Sequence, residues 1–214
     1  EIDGAFDADG FLVLNVTDLE DHSHTYFLVS SFTGTAGVTD FDTDNDGVPD
    51  TVGTVGFIYD VIGVPVAENA LLYASAVGGT DLAFAGDPPA LVFRARGTGA
   101  VFQVVGTSVF DADGQAAEAS FPGQAVVNPT FGAPNPVDTP ADTSPRISEF
   151  QQDPPGEDPA TQLIELTGTP NAAFQGFFLV VESDNDDEAG VVEEAFEIDG
   201  AFDADGFLVL NVTD

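Results

Sequence analysis

Residues 1–18 and 197–214 both read EIDGAFDADGFLVLNVTD, identical at all 18 positions and set 196 residues apart in a chain of 214. Two segments inside one domain drift apart unless something keeps them the same, so a 196-residue unit begins again at Glu197. The chain is then one period plus an overlap. Its ends are expected to be cuts in a longer tandem array, or in a filament where each unit's tail enters the next one's place. Whether the overlap is a covalent repeat or such a frame, the sequence is periodic.

A second feature places the boundary of the natural unit. Residues 128–145, NPTFGAPNPVDTPADTSP, hold five Pro among Thr, Ser and Asp without apolar periodicity, the pattern of a stiff extended linker. The unit is therefore expected to start near Arg146, run through Asp214 into the equivalent of residue 19, and end near Pro136. In the numbering of this chain, 1–136 is the C-terminal part of one copy, 137–145 the linker, and 146–214 the N-terminal part of the next. Neither part then has a complete core alone. The missing strands are expected from a neighbouring molecule or the adjoining repeat.

Composition narrows the partners. The chain has 38 Asp and Glu, three Arg and no Lys, for a formal charge of −35 and a pI near 4.1. Phosphate neutralisation and polybasic membrane anchoring both need cations that this chain lacks, so nucleic acid and anionic lipid surfaces are excluded as partners. With no Cys, disulfides, thiolate zinc sites, iron–sulfur clusters and cysteine nucleophiles are excluded as well. The 43% apolar content, with 19 Phe, is enough for a core and separates the chain from disordered acidic tails. No apolar run approaches the roughly 20 residues of a membrane span, and the N-terminus lacks a signal-peptide pattern, so the chain reads as a mature segment. Such an acidic surface points to an extracellular or cell-surface setting, with the cytosol of a salt-accumulating organism as the alternative.

The local pattern is all-β. Short runs of Val, Phe, Leu, Ile and Thr, punctuated by Gly, Asp, Asn and Pro, predict strands of a sandwich. They fall, in the order of the natural unit, at 146–150, 162–167, 176–182, 191–198, 207–212 (repeated at 11–16), 25–31, 55–59, 71–74, 90–94, 101–105 and 108–110. Asp-Gly between apolar runs, as in FDADGF and in FDADGQ at 110–115, supplies the positive φ of a tight turn. Asp7, Asp9, Asp111 and Asp113 are read as serving turn geometry. A short helix is considered at 66–73, VAENALLY, after Pro65.

Within RISEFQQDPPGEDPATQLIELTGTP, at 146–170, Ile147-Ser148-Glu149-Phe150 and Leu163-Ile164-Glu165-Leu166 stand where lamin-tail domains carry I-[SN]-E-[IF] and [FW]-I-E-L strands around a Pro/Gly/Asp loop. The segment resembles the opening of that family. The usual W-x-L is replaced by Phe177-Phe178-Leu179, and the unit is longer than a typical lamin tail. What the resemblance implies is an immunoglobulin-like β-sandwich, here cut from the 196-residue periodic unit and completed by the neighbouring copy. The 146-to-136 unit as a whole is similar to lamin-tail-like regions of large secreted bacterial proteins, and nothing catalytic transfers from them.

One motif carries chemistry. In DFDTDNDGVPD, at 40–50, carboxylates alternate around a Gly that permits a sharp turn, because a hard Ca²⁺ ion takes several oxygens from one tight loop. The segment resembles thrombospondin type 3 and EF-hand-like calcium loops. Asp42, Asp44, Asp46 and Asp50 are the expected side-chain ligands and Val48 the expected carbonyl ligand, with Ca²⁺ the expected cofactor. The twelfth position of an EF-hand counted from Asp42 is Gly53, not Glu, which disfavours a full EF-hand. The acidic run at 182–188 lacks an ordered Gly and reads as a charged hairpin tip. His22 and His24, the only imidazoles, share a strand face but lack a third His, with Asp21 the only helper nearby in sequence.

No G-x-S-x-G elbow is present. Carboxylate pairs are numerous, but sugar-cleaving sites stack their substrates on aromatics, and this chain has no Trp and only Tyr26, Tyr59 and Tyr73. An enzyme is not expected. Asn15 and Asn211 lie in N-x-T sequons, candidate glycosylation sites in a glycosylating surface system, and linker Thr139 and Thr143 are candidates for O-glycans. The expected protein is a structural, filament-forming or tandem-repeat homopolymer that associates by strand addition. The alternative is a calcium-dependent adhesion module for a carbohydrate or cell-surface ligand.

Overall fold

The run HTYFLV alternates two sets of apolar side chains, and the chain uses both. It forms β1, His24–Val29, whose six residues are all buried. Tyr26 and Leu28 point into one hydrophobic cluster while Phe27 and Val29 point into another. Period-2 alternation with both faces apolar requires cover on both faces, which fixes β1 at the centre of the molecule.

The computed structural model describes residues 22–50, 52–95, 98–121, 127–128, 145–150, 163–184, 188–204 and 206–211. After β1 come β2 (Ile58–Val64), β3 (Thr80–Asp81), β4 (Leu91–Arg94), β5 (Val101–Val105), β6 (Ser108–Asp111), β7 (Arg146–Phe150), β8 (Leu163–Thr167), β9 (Ala173–Glu182), β10 (Val192–Ala201) and β11 (Phe207–Asn211). They form a five-stranded sheet, β10-β9-β1-β2-β3, and a six-stranded sheet, β11-β8-β7-β4-β5-β6. All named pairs are antiparallel except the short β2/β3 contact. The architecture is an all-β sandwich.

Its main core lies between the sheets. Tyr26, Ile62, Phe178 and Val180 from the first sheet meet Val92, Ile147, Phe150, Ile164 and Leu208 from the second. The rings of Tyr26 and Phe150 are 4.5 Å apart. A second cluster on the outer face of the five-stranded sheet joins Phe27, Val61, Leu179 and Val181 to Phe41 and Tyr73 from the connecting segments. A third covers β4–β6, with Phe93, Phe102 and Phe121 in mutual ring contact.

The two parts assigned to successive copies complete each other inside this one chain. β1 pairs with β9 from His24↔Glu182 to Val29↔Phe177, and β4 pairs with β7 at Val92↔Phe150 and Phe93↔Glu149. No second molecule is required for this arrangement, because one full period contains every strand of a unit and a tethered partner meets its site at high effective concentration. The second copy of the repeat is part of it: from Glu197 it supplies the end of β10 and then β11, with Phe207, Leu208 and Val209 all buried.

Most predicted strands are present, and three readings change. The run expected at 55–59 is a strand at 58–64 instead. The segment 66–73 holds turns and coil, not a helix, because its backbone donors serve tertiary acceptors: Leu71 N–H donates to the Ser183 carbonyl (2.7 Å) and Tyr73 N–H to the Thr25 hydroxyl (3.1 Å). The predicted run at 71–74 is likewise not a strand. The turn Asp do what their pattern suggests: Asp111 Oδ1 accepts from Asp113 and Gln115 N–H, and Asp203 Oδ1 from Phe207 N–H. The first repeat copy, with Asp7, Asp9 and Asn15, and linker residues 137–144 lie outside the described residues. Asn211 ends β11 opposite Leu163.

Candidate functional site

The loop at 40–50 is held down by aromatic anchors. Phe41 and Tyr73 are fully buried on the outer face of the five-stranded sheet, so Asp42 enters the protein directly after an anchor. Asp40 bridges Val191, and Phe41 N–H donates to the Gly190 carbonyl at 2.8 Å. A Cβ at Gly190 would stand 2.7 Å from the Asp42 nitrogen and 2.9 Å from Asp40 Oδ1, so this close approach needs glycine. Asp50 N–H closes the loop on the Phe41 carbonyl at 2.7 Å.

Inside the loop Asn45 (φ 53°) and Gly47 (φ 82°) take the left-handed conformation. That turn brings backbone donors onto Asp42: Asp46 N–H reaches Oδ1 at 3.2 Å, and Gly47 N–H and the Tyr73 hydroxyl reach Oδ2 at 2.8 and 3.1 Å. Burial, then the Asp42 charge, pushes the Tyr73 hydroxyl far up, so it remains a donor.

Asp42, Asp44 and Asp46 converge, each offering an oxygen within 4.8 Å of the others. Two oxygens on opposite sides of one Ca²⁺ are separated by about 4.6–5.2 Å, given ligand distances of roughly 2.3–2.6 Å. Asp44 is held above the usual carboxylate range, chiefly by the charge of Asp46. The buried Asn45 Oδ1 has no hydrogen-bond partner and adds an uncommitted oxygen. An all-oxygen donor set with surplus negative charge fits a hard divalent cation.

Of the predicted carboxylate ligands, Asp50 is not among those that converge. Asp50 Oδ2 accepts from the backbone N–H of Thr43 at 3.0 Å and also from its hydroxyl, so this carboxylate pins the loop. Val48 is 61% exposed, and its N–H donates to Asp46 Oδ1 at 2.9 Å.

A second cluster adds carboxylates from far along the chain to the two His, while Asp21 lies outside the described residues. His22 and His24, at the entrance of β1, meet Glu182 and Asp184 at the end of β9 and Glu193 in β10. His22 Nδ1 is 3.1 Å from Asp184 Oδ2 and 3.8 Å from Glu182 Oε2, while His24 Nε2 is 2.8 Å from Glu193 Oε2. Partial burial opposes the charged imidazole of His22, but the Asp184 hydrogen bond and the Glu182 charge outweigh it and raise its pKa. Burial also opposes the Asp184 anion, yet bonds from Ser23 and His22 hold it below the usual range. The His24 hydrogen bond lowers Glu193, and burial raises Glu182.

No family model matches the chain, and neither a curated protein nor a solved structure is significantly similar to it. Among the described residues, no helix is long and apolar enough to cross a membrane.

Proposed function

We propose that this chain is the repeating unit of an extracellular structural array or filament, in which successive copies complete one another's sandwich. The observation that carries the reading is the place of the second repeat copy. Residues 197–211 form the end of β10 and all of β11, so the repeat boundary falls inside the sandwich. An array with this period then passes from one copy to the next through a folded domain. Units joined in that way are harder to pull apart than units joined by a linker alone.

Strand order supports the immunoglobulin-like, lamin-tail-like form. Taken from Arg146 through β11 and on into β1, β11-β8-β7 corresponds to strands E-B-A and β10-β9-β1-β2 to C′-C-F-G. The ISEF and LIEL segments are then the first paired strands, A and B. Calcium at Asp42, Asp44 and Asp46 would clamp the segment that covers the outer face of strands F and G. A formal net charge of −35 suits a highly solvated position outside the cell.

Cryo-electron microscopy of protein refolded at about 1 mM in high salt, in calcium and then in chelator, tests the reading. Ordered fibres with a 196-residue repeat are expected, loosened by chelation. Monodisperse particles under both conditions would sink it.

A further inference from the structure

The His22 cluster has the construction of a metal site, independently of any assembly. Each of its two carboxylates commits one oxygen to backbone donors and leaves the other facing the imidazole. Glu182 Oε1 accepts from Ser183 N–H (2.9 Å) and Asp184 N–H (2.7 Å), while Asp184 Oδ1 accepts from Ser23 N–H (2.9 Å). Glu182 Oε2 and Asp184 Oδ2 are thereby aimed at a single atom, His22 Nδ1. One nitrogen can donate only one proton, so a proton cannot satisfy both oxygens.

The spacing suits a metal ion better. Ligands about 2.0–2.2 Å from a tetrahedral ion stand roughly 3.3–3.6 Å from each other. The observed 3.1 and 3.8 Å bracket that range, and all three ligand atoms lie within 4.8 Å. Behind them Glu193 Oε2 bonds His24 Nε2, and the ligand atoms of His24, Glu182 and Glu193 lie within 4.8 Å of one another, so a further carboxylate adds negative charge beside the site. His24 is fully buried, its Nε2 stands 2.8 Å from Glu193 Oε2, and its Nδ1 has no partner. His22 is 48% exposed and Glu182 only 3%, so the site opens to solvent on the imidazole side.

We propose that His22 Nδ1, Glu182 Oε2 and Asp184 Oδ2 bind a borderline divalent cation of the Zn²⁺ class, with solvent in the fourth position. Mixed nitrogen and oxygen donors prefer such an ion, whereas the all-oxygen loop at 40–50 prefers Ca²⁺. The bound ion ties the entrance of β1 to the β9–β10 hairpin. That joins the two parts of the chain which the repeat assigns to different copies.

The chain has only two His, so long-range ¹H–¹⁵N spectra of the full chain resolve both rings. Chelator-treated protein is first saturated with Ca²⁺ and then titrated with ZnSO₄. One equivalent of Zn²⁺ is expected to shift His22 Nδ1 by tens of ppm while Ca²⁺ leaves it in place. His22→Ala should weaken Zn²⁺ binding at least tenfold by calorimetry, and Asp44→Asn with Asp46→Asn should leave it unchanged. His22 is half-exposed, so its replacement leaves the fold intact, and a thermal melt verifies this. Absence of a His22 Nδ1 shift, a shift confined to Nε2, or full affinity in His22→Ala overturns the proposal. Its failure would leave the fibre experiment, which requires no zinc, untouched.

Discussion

Asp42 and Asp44 are two residues apart in one loop yet have opposite roles. Asp42 is buried and accepts from two backbone N–H groups and Tyr73, so its carboxylate organises the loop with or without an ion. Asp44 is exposed beside Asp46, whose charge it opposes. Asp44→Asn is therefore expected to leave the calcium-free protein as stable or slightly more stable, and to erase the gain from calcium. With calcium bound as proposed, that gain would be about 2.7 kcal/mol at a hundredfold excess over Kd. Asp42→Asn should destabilise both forms. Melting curves of the two variants in calcium and in chelator check the crossed pattern; equal calcium shifts in Asp44→Asn and wild type would contradict it. A second residue-scale test concerns Arg94, which donates both ways to Asp60, at 2.7 and 2.8 Å, and to the carbonyls of Ile147 and Gly99. Asp60 also accepts from Ile147 N–H at 2.9 Å, so the pair joins β2, β4 and β7 across the seam between the two parts. Arg94→Met leaves that carboxylate buried without its counter-charge, at an expected cost of about 3–5 kcal/mol. Arg94→Met with Asp60→Leu should recover part of it, but still leaves the Ile147 N–H without an acceptor, a cost of roughly 1–3 kcal/mol. Urea unfolding midpoints measure both, and a loss under 1 kcal/mol in Arg94→Met would show that the pair carries little.

At the scale of elements, the duplicate strand sets the test. One β8 edge holds one strand on a given set of hydrogen bonds, and Phe207–Asn211 holds it with Leu208↔Leu166 and Leu210↔Ile164 in register. Residues 11–15 are identical, so Leu14 can take the Leu210 position of another chain. The absence of native Cys makes this a clean crosslinking experiment. A Leu14→Cys chain mixed with an Ile164→Cys chain and refolded under oxidation should give a disulfide heterodimer. The double variant Leu210→Cys with Ile164→Cys should close within one chain. Closure of the double variant without any heterodimer would limit the strand to its own molecule. Strands were legible wherever apolar alternation was uninterrupted, as in β1, β7 and β11. β2 was displaced because Asp60 and Gly63 break its pattern, and the reason they are tolerated, Arg94 opposite Asp60 and the packing of β3, lies far along the chain. The short helix considered at 66–73 does not form because the acceptors of its N–H groups, Ser183 and Thr25, likewise lie far along the chain. The same distinction separates the two candidate metal sites. The loop at 40–50 carries its carboxylates in one continuous segment and could be read directly. His22 and Asp184 are separated by 162 positions, and only folding brings them together.

The whole molecule combines a divisible sandwich with strong self-repulsion. β1 against β9 and β4 against β7 are the seams between its two parts within the chain, and under the proposed function either seam would also form between chains. Closure within the chain acts at an effective concentration on the order of millimolar for a short tether. Dilute refolding should therefore give closed monomers, and refolding near that concentration should give open chains of units, since head-to-tail contacts propagate wherever their rotation does not close a ring. At a formal charge of −35 the open form also needs screening. The Debye length falls from about 10 Å at 0.1 M salt to about 3 Å at 1 M, so added salt should promote assembly, the reverse of an interface held by opposite charges. Exchange between the forms requires both seams to separate, which exposes much of the core shared by Tyr26, Phe150 and Phe178. Mixing native monomers should then produce polymer only slowly, while a denaturant pulse followed by concentrated refolding produces it at once. Light scattering after refolding from urea, at about 10 μM and near 1 mM with low and high salt, separates these expectations. A polymer fraction that ignores refolding concentration, or that vanishes on simple dilution, would mean that association occurs through surface contacts and that the seams stay closed.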